Sequence, residues 1–302
     1  MKNGAGAAGP FFLMSATLVT NVVIAGVLTG LIYGLMALGL SVIFGVVRVV
    51  NFAHGEMMTI AMYVAVLLFG KFNLDPMLAA LPVAALFFVF GYLLQAGLIN
   101  PFITRPEHSQ FILLVAVATI LTNVLLMIFG PDARNVQTDY MLDSWAIGDV
   151  LFDEARVFAA LAALATTAAL FAFFRLSRTG TAIRACADNN LGAHIVGLNV
   201  KHLYALTFGL GAACVAIAGC MMTLLVEVAP SVGPSYTLLG FVIVIVGGLG
   251  SMPGALLGGV LIGVSEALAG LFIDPSAKSM ISFALLIVVL LFRPQGLLGR
   301  KT

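Results

Sequence analysis

The sequence predicts an all-α, polytopic helical membrane protein with about 8–10 transmembrane passages, some of them broken or re-entrant. Three observations carry that prediction. Hydrophobic residues make up 62% of the 302 and charged residues only 9%, against about 25% charged in an ordinary soluble domain. The charges gather in a few short stretches, and the apolar runs between them are long enough to cross roughly 30 Å of hydrocarbon. Lipid leaves no partner for an open backbone, so such runs must be helical. The chain reads as a single transmembrane domain over residues 1–302.

At the N-terminus one lysine and a Gly/Ala stretch precede the first apolar run, and no small-residue cleavage site follows it, so the segment is expected to be retained. Phe11–Val47 carries no charge over 37 residues. As one helix it would be about 55 Å long, so it is expected to hold more than one passage, or one span plus a broken segment. Gly26, Gly30 and Gly34 form a small-residue stripe along it, a packing surface where backbones approach closely.

Val46–Met58 then packs Arg48, Asn51, His54 and Glu56 between apolar runs. Asn51 is a candidate N-cap for a helix starting at Phe52, and Glu56 complements the dipole of that helix. An interfacial turn and a broken helix near a translocation path both fit. Ionisable residues at membrane depth cost ~2.5–3.5 kcal/mol on insertion scales and persist mostly where they face a cavity or a partner.

Met57–Gly70, Met77–Ile103 and Gln110–Gly130 supply three more passages, joined by Lys71–Pro76 and Thr104–Ser109. Pro131–Arg156 is acid-rich, with Asp132, Asp139, Asp143, Asp149, Asp153 and Glu154 against Arg134 and Arg156. Tyr140 and Trp145 read as interfacial anchors of that loop, or the loop serves as a platform for an external protein.

Val157–Phe174 and Leu203–Val226 flank the loop Arg175–His202, where Arg175, Arg178, Arg184 and Lys201 stand against a single acid, Asp188. The positive-inside bias assigns this loop to the cytoplasm and the acidic one to the outside. Thr179 is expected to cap a helix over Gly180–Ala187, and Asp188 a second that Gly197 ends in a left-handed conformation. Asn199 is expected to cap the next membrane helix. A solvated connector and a docking surface for a cytoplasmic partner both remain open for this loop.

Glu227–Tyr236 is an outer turn stiffened by Pro230 and Pro234. Gly247, Gly248, Gly250, Ser251, Pro253 and Gly254 are too rich in glycine and proline for a continuous lipid-facing helix, and predict a break or tight turn shielded by protein. Glu266 follows as a lone intramembrane carboxylate, a functional candidate by default. Ser279–Phe292 is the last span, ending in the basic tail Arg293–Lys301.

Several chemistries are excluded or lack support. Fourteen basic residues against thirteen acidic ones, confined to loops, give no footprint for nucleic acid. Three cysteines make no paired framework, and Cys214 and Cys220 are spaced off a shared helix face, which makes them packing residues. The chain has no P-loop, nucleophile elbow, H-E-x-x-H or paired-cysteine metal spacing, so no catalytic residue and no metal ligand is assigned. Transport is the better class than enzyme. An ion-coupled transporter would use Glu56, Glu227 and Glu266 as coupling sites.

At Asn51-Phe-Ala-His54-Gly55-Glu56-Met, with the preceding GLIYGLMALGLSVIFGVVRVV, the sequence resembles the permeases of branched-chain amino-acid ABC importers, of the LivH type. RTGTAIRA at 178–185, IVGLNV at 195–200 and GGLGSMPGALLGG at 247–259 resemble the same family in the same order. The resemblance implies a permease subunit of the bacterial inner membrane working by alternating access, with no cofactor of its own because ATP is bound by partner subunits. Those partners would be a second related permease, two cytoplasmic ATPases and a periplasmic binding protein, all in membrane lipid. Arg178, Gly180, Arg184, Ala185, Asp188, Asn190 and Gly197 match the ATPase-coupling loop. Asn51, His54, Gly55, Glu56, Gly247, Gly248, Gly250 and Ser251 match blocks near the translocation path, to which Glu266 is added on its own chemistry. Relatives that carry urea, short amides or other amino acids keep the substrate open.

Overall fold

The computed structural model describes residues 9–148 and 150–299. Lys2, Asp149, Arg300 and Lys301, which entered the charge reading, lie outside them. The described residues form α1 (Gly9–Val47), α2 (His54–Phe72), α3 (Pro76–Leu94), α4 (Glu107–Phe129), α5 (Glu154–Leu176), α6 (Arg178–Asp188), α7 (Asn190–Ile195), α8 (Val200–Met222), α9 (Gly233–Gly247), α10 (Met252–Phe272) and α11 (Lys278–Phe292). One small antiparallel hairpin, β1 (Ser144–Ile147) with β2 (Val150–Asp153), interrupts the helical pattern. Among the described residues eight helical stretches are long and apolar enough to cross a membrane, and α11 is a shorter apolar helix outside that set.

The first apolar run departs from expectation. It is one continuous helix, α1, of 39 residues, about 58 Å long at 1.5 Å per residue. Its glycines do not break it, because the helical backbone ladder needs no side chain. They are used for close packing against α10 instead. A Cβ on Gly30 would fall 2.7 Å from the Val260 Cα, and one on Gly26 2.9 Å from the Val264 Cα. Gly259 and Gly263 face them from α10, so two glycine stripes let the backbones touch. The propensity cost of about 1 kcal/mol per glycine is offset by that approach.

The pairs Gly26–Gly263, Gly30–Gly259 and Gly45–Gly250 show α1 and α10 running antiparallel. Because α1 is a single passage, its start lies at the end of the bundle opposite to Val47. Helix α8 is the other central rod, buried along most of its length. It meets α1 at Gly39–Gly211 and α3 at Gly91 and Ala212, and its Gly219 lies against the Met58 carbonyl of α2.

The two ends of the bundle differ in charge. Arg48, Arg105, Arg175, Arg178, Arg184, Lys201 and Arg293 lie at one end, called here the basic end. The acidic loop lies at the other and is tied down at several points. Arg134 and Val228 exchange two backbone hydrogen bonds of 2.9 and 2.7 Å, and the Leu151 amide donates to Asn21 Oδ1 at 3.1 Å. Tyr140 is not a free interfacial anchor, since its hydroxyl donates to the Asp75 carboxylate at 2.8 Å. Burial and that bond push its phenol well above the usual range. Trp145 stays 44% exposed, edge-on to Phe158 with centroids 5.7 Å apart.

Candidate translocation site and docking loop

The break after α1 is built from backbone conformation first. Arg48 turns the chain with φ +58°, a left-handed value that a long side chain rarely adopts. The next five residues, 49–53, are not helical, and α2 starts only at His54. His54 Nε2 sits 3.0 Å from the Met36 carbonyl. A carbonyl only accepts, so Nε2 carries the proton. Met36 lies eleven residues before Val47, about 16 Å back along α1. The segment therefore doubles back into the bundle, and α2 begins among buried helices rather than at its basic end.

The start of α2 differs from the expected one by two residues. Asn51 Oδ1 accepts from the Ala53 amide at 3.1 Å, closing a local turn. That turn delays the helix to His54, and no side chain caps its N-cap residue Ala53. Glu56 does fall in the first turn. Thr237 of α9 joins the group: its hydroxyl accepts from the Gly55 amide at 2.8 Å and lies 3.0 Å from Glu56 Oε2. Gly55 has no room for a side chain, because a Cβ there would meet the Gly233 carbonyl and the Thr237 amide. Asn51, His54, Gly55 and Glu56 are all buried. His54 Nδ1 and Ser41 Oγ are buried without a hydrogen-bond partner among the described residues.

Gly247–Ser251 is elsewhere. It forms the turn between α9 and α10 at the basic end, beside Gly45. Gly248 and Gly250 take φ of +110° and +75°, where glycine alone is unstrained. The shield expected for this turn comes from the tail: the Leu297 and Leu298 amides donate to the Val246 and Gly247 carbonyls at 2.8 and 2.9 Å. Ser251 caps α10 by accepting from the Gly254 amide at 3.2 Å.

Glu266 is separate from both groups. Ser282 of α11 donates to its Oε1 at 2.7 Å, and Tyr33 of α1 lies beside the same side chain. Neither partner belongs to the break.

In the basic loop the two short helices exist, but their caps shift. Ser177 caps α6 by accepting from Gly180 at 2.8 Å, two residues earlier than Thr179 would. The reason is packing: Gly180 must already be helical where it presses on Phe173 and Phe174 of α5, and a Cβ there would lie 2.7 Å from the Phe174 Cα. Asn189, not Asp188, caps α7 by accepting from Gly192 at 2.8 Å, because Asp188 is still the last residue of α6. Gly197 ends the motif at φ +81°, and Asn199 caps α8 through His202 at 3.1 Å.

Arg178, Arg184, Ala185, Asp188, Asn190 and Gly197 are exposed on this loop, while Gly180 is buried. Asn190 donates to the Tyr204 hydroxyl at 3.0 Å, fastening α7 to α8. Sequence reasoning missed Leu191, Ile195 and Val196, which are 72%, 78% and 74% exposed. They form an apolar crown on α7 and its C-cap residue Val196, where Ala193 alone of the helix is buried.

A cavity of about 1560 Å³ opens at the basic end. It brings together Arg184, Ala185 and Asp188 from the loop, Gly250 and Ser251 from the turn, and Arg48 and Phe52 from the break. Asn51, His54, Gly55, Glu56 and Glu266 do not line it. Among the described residues no three His, Cys, Asp or Glu side chains converge as metal ligands would.

A family model described as branched-chain amino acid transport system / permease component matches residues 22–290. The chain is 30% identical to the high-affinity branched-chain amino acid transport system permease protein BraD of Pseudomonas aeruginosa, over 91% of this chain and 94% of that one. It is 32% identical to the corresponding protein LivH of Salmonella typhimurium over the same shares. A probable branched-chain amino acid transport permease protein LivH of Methanocaldococcus jannaschii is 26% identical over 88% of each chain.

Proposed function

The chain belongs to the permease components of branched-chain amino acid transport systems, and from that premise we propose that it is the membrane-spanning subunit of an ABC importer of the bacterial inner membrane. Its substrates are branched-chain amino acids, moved by alternating access with no covalent step. The energy comes from two separate cytoplasmic ATPases, since the chain has no P-loop of its own. A second related permease completes the membrane part, and a periplasmic binding protein docks at the acidic end. The exposed apolar side chains of α3, α4 and α11 face lipid.

The observation that carries this reading is the cavity shared by the basic loop and the helix break. Arg184 and Asp188 line it from one side and Phe52 from another. A push on α6 and α7 therefore acts on the same space into which the break opens. The ATPase meets Arg178, Arg184, Asp188 and the apolar crown of Leu191, Ile195 and Val196. The break carries the path, with Asn51, His54, Gly55 and Glu56 at its inner end. Gly247, Gly248, Gly250 and Ser251 shape the mouth at the basic end.

Ion coupling through Glu56, Glu227 and Glu266 is not favoured. Glu227 is exposed and Glu266 is held by the Ser282 hydroxyl away from the break, so the three do not form one site.

The deciding experiment is a mild-detergent pull-down of the chain expressed with its native neighbours. Co-purification of P-loop ATPases in fixed ratio is expected, and Arg184→Glu should lower both that ratio and uptake while the protein stays in the membrane. A chain that purifies alone and transports when reconstituted alone would overturn the proposal.

A further inference from the structure

We infer that Phe52 is the gate of the route between the basic-end cavity and the buried Glu56–Thr237 pair, an assignment that rests on the permease reading above. Phe52 lines the cavity, whereas its neighbours Asn51, His54, Gly55 and Glu56 do not. Its ring marks the boundary between open space and the buried polar group.

Two other rings hold it there. Phe111 of α4 stands edge-on with centroids 4.6 Å apart at 85°, and Phe241 of α9 lies 5.0 Å away on a tilted plane. The three rings bridge α4 and α9 across the head of the cavity. They offer no hydrogen bond to a zwitterion, and an apolar constriction of this kind excludes polar solutes by size and by loss of water. Opening it needs no helix to unfold, because residues 49–53 are already non-helical and their foot is the left-handed Arg48.

The backbone of Phe52 is linked to the polar group behind it. The Thr237 hydroxyl lies 3.4 Å from the Phe52 carbonyl and 3.0 Å from Glu56 Oε2. One hydroxyl has one proton to donate. The carbonyl and the carboxyl therefore compete for it, and a solute that engages Glu56 changes which of them is held. Gate position and occupancy behind the gate are joined through that proton.

The test uses Thr237→Cys as a reporter directly behind the ring. Inside-out vesicles carrying the full assembly are treated with a membrane-impermeant methanethiosulfonate reagent. Native background is low, since Cys214 and Cys220 are buried and burial pushes the Cys186 thiol above its usual range, which slows its reaction. Thr237→Cys alone should label slowly. Adding Phe52→Ala should raise the rate at least tenfold, Phe111→Ala should raise it less, and Phe52→Leu should leave it low. Phe111→Ala decides the case if Phe52→Ala fails to reach the membrane. Fast labelling of Thr237→Cys alone, or equal rates with and without both alanine variants, would overturn the gate. Labelling needs no transport, so ATP-driven leucine uptake by the wild-type assembly in proteoliposomes judges the permease reading separately.

Discussion

Two buried glutamates sit in this bundle, and their surroundings teach different lessons. Glu266 lies in the tight zipper of α1, α10 and α11, where Ser282 donates to its carboxyl group and Tyr33 lies beside it. Glu56 lies at the start of a helix that begins inside the protein, beside a hydroxyl that it shares with the Phe52 carbonyl. The first is a satisfied structural polar group, tolerated at depth because its partners are built in. The second sits where backbone order is interrupted and a cavity ends at the neighbouring ring. The sequence offered both as path candidates, Glu56 within a polar block at a helix start and Glu266 as a lone intramembrane carboxylate. The distinction comes from who donates to them.

The comparison is tested most severely at the zipper itself. Gly259→Leu would drive a side chain into the Gly34 backbone, and with no flexible group to yield it should cost more than about 4 kcal/mol. The expected outcome is no folded protein by fluorescence-detected size exclusion. Survival of that variant would mean that α1 and α10 pack less closely than the glycine stripes indicate.

Next come the two glutamines. Glu56→Gln keeps an acceptor for Thr237 but removes the charge, and uptake per folded molecule should fall at least tenfold. Glu266→Gln keeps an acceptor for Ser282, and uptake should stay within twofold of wild type. If both behave alike in proteoliposomes, the two sites are of one kind and the contrast fails.

Glu266→Leu should show its effect in stability alone. It removes the acceptor of the Ser282 hydroxyl, a loss of about 1–3 kcal/mol that Ser282 offsets in part by turning to the Lys278 carbonyl at 3.2 Å. Thermal unfolding in detergent should register the loss, with uptake per folded molecule unchanged. The smallest effect belongs to the break. Arg48→Gly relieves a left-handed φ of +58°, worth about 1 kcal/mol, and should raise the thermal midpoint slightly. A lowered midpoint would show that the Arg48 side chain contributes more than its backbone costs.

Much of the fold was legible in the sequence, for reasons that stay local. Apolar runs must be helical in lipid, so α3, α4, α5, α8 and α11 followed from charge gaps, and the division of α9 from α10 from the glycines and proline between them. The left-handed Gly197, the cap at Asn199 and the glycine stripe on α1 depend on chain geometry within one or two turns. Errors arose where two local signals competed. Ser177 and Thr179 are both good caps, and only the pressure of Gly180 on α5 selects the first. Phe11–Val47 looked too long for one passage, and only its continuous packing along α10 shows that it is a single helix.

The sequence by itself determined that this is a helical membrane protein and that its basic residues gather apart from its acidic loop, because hydration free energy and backbone hydrogen bonding act residue by residue. Only the tertiary structure decided that α1 is one passage, that residues 49–53 climb back to Met36, that Thr237 meets Glu56 from 181 positions away, and that the loop and the break share a cavity. Those contacts depend on which helices lie side by side, and a glycine or glutamate carries no local signal of its distant neighbour.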